Sequence, residues 1–590
     1  MANYTDNLDD NTEEASGALN SSRRSFLKAT GIAAAGFAAG GISGGTVGAA
    51  VGSALGARAA ENAEFARPLN ARSEPGFDHV VVLMFENRSF DNILGWLYTP
   101  DTVPDGQQFD GLAMGKYTNT APDGTVIEAQ AYSGSTDEIM GSPNPDPGEQ
   151  YQHVNTQLFN TVDPASNERL YTEPLKAPFN APKPGQVATN SGFVHDYDIN
   201  YRLLNKGKAP SADDLRLAMG GFTPDMLPVT STLARNFAVF DHWYCAVPSQ
   251  TFCNRSFFHA STSHGFVTND KSGGYTKWLN APKAPTIFNR LEDAGISWRV
   301  YYDATQLVSF TGVIHAPVLE KYWKTNFRTM EQYHLDAKNG TLPAYAFIEP
   351  RMTFNHNDMH PPVGKVRESD VNGVEVFSDA ISDVRAGEAL LHDVYTSIKT
   401  SASSTGSNAG NTLLLVTFDE HGGTYDHVAP PTATPPSSPA TEGEMGFTFD
   451  RLGLRVPTIA ISAYTRAGTV INTEMHHAAV IKTLSRLHGL APLTERDEVA
   501  NDLFSVVNRQ TPRPVSDWPD THPQYTPPNA ELSPIPREKY KGRPLSSPAK
   551  GLIGLLIARF GAPGQSAPDT YGEAFDTLML HGNGLFGTTD

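Results

Sequence analysis

Two stretches of this chain follow the same local pattern, and that pattern constrains the fold more than anything else in its 590 residues. Asp78-His79-Val80-Val81-Val82-Leu83-Met84-Phe85 is a Val-rich apolar run of strand length, as expected of a strand buried on both faces. It delivers Glu86 and Asn87 at its carboxyl end. Phe90, Ile93, Leu94 and Leu97 then recur at helical spacing, which predicts an amphipathic helix after a strand-to-helix turn. Thr412-Leu413-Leu414-Leu415-Val416-Thr417-Phe418 repeats the strand and ends on Asp419-Glu420. Further strands read at Val456–Ser462 and Pro343–Ile348. A helix marked by Val480, Ile481, Leu484 and Leu487 closes at Gly489 and Pro492. Strands alternating with helices predict an α/β fold with a largely parallel central sheet, and such sheets bind ligands beyond the carboxyl ends of their strands. Both acidic pairs fall there.

The charge balance narrows the partners. A net charge of −19 excludes nucleic acid as the main partner, since duplex affinity comes from Lys and Arg on phosphates, and it argues against electrostatic hold on anionic lipid. A phosphate-handling site in so acidic a chain needs local positive charge, which a metal ion supplies. No strongly apolar stretch in the body is long enough to span a membrane. The first 59 residues read as an address. Arg23-Arg24-Ser25-Phe26-Leu27-Lys28, an Ala/Gly-rich soft apolar stretch and Ala57-Arg58-Ala59 resemble a twin-arginine export signal with its cleavage site. That implies the twin-arginine machinery as a partner, a periplasmic or secreted product, and no stable membrane span after processing.

The expected organisation is a signal over 1–59, a linker over 60–76, a catalytic domain over 77–505 and a Pro-rich extension over 506–590. The extension has ten prolines between 512 and 548, and a short amphipathic helix from Leu552 to Phe560. Cys245 and Cys253 are the only cysteines; they read equally as a disulfide or as two small buried groups.

Phosphoryl transfer needs a nucleophile, charge neutralisation and help for the leaving group. Glu86, Asn87, Asp419 and Glu420 at strand ends form a ligand set for a hard or borderline cation. On spacing alone each pair also suits a helix cap or a solvated turn. Pro248-Ser249-Gln250-Thr251-Phe252-Cys253-Asn254-Arg255 follows the short strand Phe237–Asp241 and reads as a turn. It offers Thr251 as nucleophile with Arg255 near phosphate oxygens, or simply a polar turn with a surface Arg.

Val82 to Asp91, ending in Glu86-Asn87-Arg88-Ser89-Phe90-Asp91, closely resembles the opening motif of the bacterial phosphoesterase family that includes non-haemolytic phospholipases C and acid phosphatases. Ser249-Gln250-Thr251-Phe252-Cys253-Asn254-Arg255 is similar to that family's Gly-Pro-Thr-x-Pro-Asn-Arg nucleophile motif, with Ser-Gln in place of Gly-Pro and Cys253 in place of Pro. Asp358-Met359-His360-Pro361-Pro362 and Asp419-Glu420-His421-Gly422-Gly423-Thr424-Tyr425-Asp426-His427-Val428 resemble its later motifs, and His477 stands where the family has a His before a helix. The motifs run in family order from about 78 to 490.

The resemblance implies an alkaline-phosphatase-like fold and a divalent metal ion on Glu86, Asn87, Thr251, Asp419 and Glu420. It also implies Thr251 as nucleophile, His153 and His360 as pocket histidines on the leaving-group side, and Asn254, Arg255 and His427 on the substrate. The expected reaction is hydrolysis of a small phosphoester or a phospholipid. About 85 residues follow position 505, and this tilts the expectation toward a compact phosphatase or broad phosphodiesterase. The competing expectation from another class is an exported binding protein on the same fold that has lost turnover.

Overall fold

The computed structural model describes residues 74–167, 176–269, 276–303, 309–352, 356–362, 369–371, 374–376, 383–524 and short pieces between 553 and 577. The expected signal, most of the linker and most of the Pro-rich extension lie outside the described residues.

The core is an eight-stranded sheet built from β1 (His79–Phe85), β2 (Ala238–Phe240), β3 (Trp298–Tyr302), β4 (Phe327–Thr329), β5 (Tyr345–Glu349), β6 (Thr412–Phe418), β7 (Thr458–Ile461) and β8 (Thr469–Ile471). Their order is β8-β2-β7-β6-β1-β5-β3-β4. Strand β7 runs antiparallel to both neighbours, and every other pair is parallel. The largely parallel α/β sheet expected from the sequence is therefore present. β1 pairs with β6 from His79↔Thr412 to Phe85↔Phe418, so the two acidic pairs leave the sheet side by side. All seven residues of each strand are buried, which is why both read as unbroken apolar runs.

The helices that matter for the site are α1 (Phe90–Ile93), α2 (Tyr151–Phe159), α3 (Phe193–Leu204), α4 (Pro228–Asn236), α5 (Thr251–Ala260), α6 (Val384–Lys399) and α7 (Ala478–His488). The helix expected after Ser89 is a single turn. Ser89 caps it, and the chain turns at Leu94, with Leu97 N–H on the Leu94 carbonyl. The spacing still reports burial, since Phe90, Ile93, Leu94 and Leu97 all enter the main core. α7 ends at Gly489 in the left-handed conformation, where the sequence placed its stop. Cys245 and Cys253 are free and buried, which settles them as small core groups. Beyond 505, Trp518 packs edge-on to Phe237 at 5.0 Å and stacks on Tyr395 at 6.0 Å.

One buried carboxylate joins two helices across the fold. Glu388 on α6 accepts from Val229 N (2.6 Å), Thr230 N (2.9 Å) and the Thr230 hydroxyl, and so supplies the first turn of α4 with acceptors its own sequence lacks. Glu388→Ala leaves these donors without partners in a buried place. It is expected to lower unfolding free energy by about 1–3 kcal/mol in chemical denaturation, without changing the catalytic constants.

Candidate active site

Three adjacent strands, β6, β1 and β5, and the start of α5 bring the site together. Thr251 is the first residue of α5, not part of a loose turn: Gln250 is the N-cap, and Asn254 N–H bonds back to the Gln250 carbonyl. This puts the Thr251 hydroxyl at a buried helix N-terminus, an environment that favours negative charge. Its Oγ1 lies 3.3 Å from Glu86 Oε2 and 3.5 Å from Asn87 Oδ1.

Glu86 and Asn87 are fixed from three directions. The Glu86 N–H donates to the Asp358 carbonyl at 2.9 Å, tying β1 to the segment after β5. The Asn87 N–H donates to Asp419 Oδ1 at 3.0 Å, tying it to β6. Asn87 itself has φ 55°, a left-handed conformation that Asn tolerates better than most residues. Gly422 lies against it with φ +62°, and a Cβ there would stand 2.0 Å from the Asn87 carbonyl oxygen. Gly422→Ala is therefore expected to displace the Asn87 turn, with a lower melting temperature and a fall in turnover measured on the same preparation.

The electrostatics are lopsided. Glu86, Asp146, Glu149, Asp358, Asp419 and Glu420 are all buried within this edge of the sheet. Arg255 sits among them and is fully buried. Its Nε lies 2.9 Å and its Nη2 2.5 Å from Glu86 Oε1, with Asp419 Oδ2 3.5 Å from Nε. One guanidinium does not balance the set. Burial, then Asp419, hold the Glu86 carboxyl well above its ordinary range, and the same two causes act on Glu420. Burial and the neighbouring Glu420 push Glu149 up to about 8. Glu420 Oε1 and Asp419 Oδ2 are buried yet accept no hydrogen bond. Buried carboxylate oxygens crowded by like charges are what a cation would satisfy, so this edge suits a hard divalent ion. Among the described residues, the Asp, Glu and His groups whose ligand atoms all lie within 4.8 Å of one another are Asp146, Glu149 and His360, and Asp91, Asp426 and His427.

The remaining expected residues divide. His360 is in the pocket: its Nε2 is 2.9 Å from Asn87 Nδ2, and its Nδ1 is 2.6 Å from the Pro361 carbonyl oxygen. His153 lies on α2 and turns its Nδ1 to Asp196 Oδ1 on α3, 2.7 Å away. Burial opposes a charged His153, but Asp196 outweighs it and raises the pKa. The group that reaches Asn87 from this stretch is Glu149, and it also accepts from Gln250 Nε2 at 3.2 Å. The sequence reading missed Glu149, although Pro145-Asp146-Pro147-Gly148-Glu149 is a Pro/Gly turn of the kind that carries functional side chains.

Asn254 was expected on the substrate. Its side chain is spent on its own turn, accepting from Val247 N (2.9 Å) and donating to the Ser249 carbonyl (2.7 Å) and the Val247 carbonyl (3.1 Å). His427 was expected there too, and it belongs to another cluster. Its Nδ1 is 2.7 Å from Asp91 Oδ2 and its Nε2 2.9 Å from Asp110 Oδ1, beside the Arg455 ion pairs to Asp91 and Asp426. Burial opposes protonation of His427, but Asp91 and Asp110 push its pKa up to about 9. Arg455 and a protonated His427 offset part of the charge of Asp91, Asp110 and Asp426, and their ion pairs tie the first and last motifs together.

The phosphoesterase family matches residues 77–491. Non-specific phospholipase C3 of Arabidopsis thaliana is 31% identical over 465 residues, covering 75% of this chain and 76% of the relative. Phospholipase C B of Mycobacterium tuberculosis is 24% identical over 483 residues, covering 74% and 78%. The fold is α/β, and the matching family and relatives make the chain a phosphoester hydrolase. The chain belongs to the phosphoesterase family. Among solved structures, a protein in the alkaline phosphatase superfamily from Vibrio parahaemolyticus covers 48% of this chain and 66% of its own, at 12% identity and a TM-score of 0.27. That likeness is too slight to bear on the site.

Proposed function

We propose that this protein is an exported, metal-dependent phosphoesterase of the phospholipase C type in which Thr251 is the nucleophile. The observation that carries the proposal is the Thr251 hydroxyl at the buried start of α5, 3.3 Å from Glu86 and 3.5 Å from Asn87, facing an anionic edge with undonated carboxylate oxygens. The proposed ligands are Glu86, Asn87, Thr251, Asp419 and Glu420. A divalent cation held by them would draw charge from the phosphoryl oxygens and lower the pKa of a hydroxyl in contact with it.

In the first step Thr251 Oγ1 attacks phosphorus and gives up its proton to Glu86 Oε2, its nearest acceptor. The bond from phosphorus to the alcohol oxygen breaks, and the leaving alkoxide takes a proton from water. In the second step the hydroxide so formed attacks phosphorus, the bond to Thr251 Oγ1 breaks, and Glu86 returns its proton to Oγ1, freeing the phosphorylated product and restoring the Thr251 hydroxyl. Arg255 Nη1 makes no hydrogen bond within the protein and is the proposed donor to a phosphate oxygen. The names of the relatives favour a phospholipid diester, cleaved on the glycerol side of phosphorus. Small soluble phosphoesters are the second reading, favoured by the chain's acidic balance. Export rests on Arg23-Arg24 and the soft apolar stretch behind them. Among the described residues, no helix is long and apolar enough to cross a membrane.

Thr251→Ala is expected to abolish turnover while the melting temperature stays near that of the parent, and Thr251→Ser should keep a good part of the rate. An acid-quenched reaction should carry phosphate on the peptide containing Thr251, and phosphate on any other residue would overturn the assignment.

Asp419→Asn should lower kcat by about 10²-fold or more, in step with metal content measured on the purified protein. Full activity in a chelated, metal-free sample would remove the metal from the scheme. Parallel assays on phosphatidylcholine vesicles and on p-nitrophenyl phosphate decide the substrate: turnover confined to the soluble ester would displace the phospholipase reading.

A further inference from the structure

The Asn87 amide has two unlike ends, and only its oxygen can serve a cation. Oδ1 faces Thr251 on the Glu86 side of the site. Nδ2 points the other way, against Glu149 Oε2 and 2.9 Å from His360 Nε2. Reversing this amide would replace the NH2 group against Glu149 Oε2 with an oxygen, to which only a protonated Glu149 could donate. His360 favours the same orientation, because with Nδ1 donating to the Pro361 carbonyl its Nε2 is the acceptor.

Glu149 is itself held. Its Oε1 accepts from Gln250 Nε2 at 3.2 Å, and Gln250 Oε1 accepts from Asn269 N at 3.1 Å. Asn269 Oδ1 accepts in turn from Phe252 N at 2.8 Å, one residue beyond Thr251. A continuous set of hydrogen bonds thus runs from the first turn of α5, through Gln250 and Glu149, to the Asn87 amide.

Asp146, Glu149 and His360 also offer ligand atoms within 4.8 Å of one another. The Asn87 NH2 group already sits against two of the three. Glu149 and His360 thus receive the amide, while the buried Asp146 Oδ1 accepts no hydrogen bond.

We infer that Glu149 is a positioning residue: it fixes the Asn87 amide with Nδ2 toward itself and Oδ1 toward Thr251, and so sets which end of Asn87 faces the cation. This rests on the ligand set proposed above. Ligand-orienting partners of this kind are commonly worth about 10- to 100-fold in metal affinity.

The test is a double-mutant cycle on the full chain, with manganese(II) as the probe in calorimetry on the metal-free protein. Glu149→Ala is expected to weaken binding by about 10-fold or more, and Asn87→Ala by at least as much. The double variant should bind no more weakly than Asn87→Ala alone, because Glu149 acts through that amide. Additive losses would overturn the inference, since Glu149 would then act directly or through the fold at large.

The isosteric Glu149→Gln variant guards against misfolding, with its metal-free melting temperature as the check. Adding Asn87→Asp to Glu149→Gln reverses the hydrogen bond, and should recover affinity lost in Glu149→Gln alone. Absence of any recovery counts against positioning. Glu86→Gln separates the two levels: unchanged affinity there would sink the ligand set itself. Lost affinity in Glu86→Gln beside parent-like binding in Glu149→Ala would sink only the positioning role.

Discussion

The structure turns on a concentration of buried negative charge. Six carboxylates end near one another where β6, β1 and β5 leave the sheet, and water is largely excluded from them. Left alone, such groups would take up protons or force the edge open. The chain answers partly from its own resources. Arg255 enters from α5 with both Nε and Nη2 on Glu86, and backbone N–H groups of Asn87, Glu420 and Gly422 donate to Asp419 and Glu420. Removing one partner of such a buried charge set commonly costs about 3–5 kcal/mol, so these contacts bear on folding as much as on chemistry. Where this compensation is thinnest, at Glu420 Oε1 and at Asp419 Oδ2 with Arg255 Nε 3.5 Å away, is where the proposed chemistry begins.

The same constraint explains why residues of one motif have different tasks. In the late motif, Asp419 and Glu420 face the site, and Gly422 makes room for the Asn87 backbone. Asp426 and His427 turn away, into ion pairs and hydrogen bonds with Arg455, Asp91 and Asp110. Arg455 is fully buried between Asp91 from the first motif and Asp426 from the last, and also donates to the carbonyls of Asp110 and Asp241. This second cluster joins the segments that follow β1 and β6. It holds the two acidic pairs in register without taking part in the anionic edge itself.

The helix that carries Thr251 is fastened in a comparable way. Asn254 closes the loop before it, while Ser249 donates to the Val267 carbonyl. Gln250 then links that helix start to Glu149 on the far side of the pocket. The hydroxyl therefore sits on a rigid element, and its position relative to Glu86 and Asn87 is set by packing and not by loop closure.

The sequence by itself determined the α/β class, the strands that carry Glu86 and Asp419, and the run of motifs, because buried parallel strands must be apolar throughout and end where ligands bind. It did not determine what each polar side chain would face. His153 looked like a pocket group, and Glu149, four residues earlier, is the one that reaches Asn87. One helical turn and the Asp196 partner on α3 decide between them. Asn254 and His427 were expected on the substrate; the structure places the Asn254 side chain on its own turn at Ser249 and the His427 ring on Asp91, distant in sequence. Periodicity reports which face of an element is buried, since burial is a property of the element. The partner of a polar group is set by chain segments distant in sequence, and only the tertiary structure brings those together.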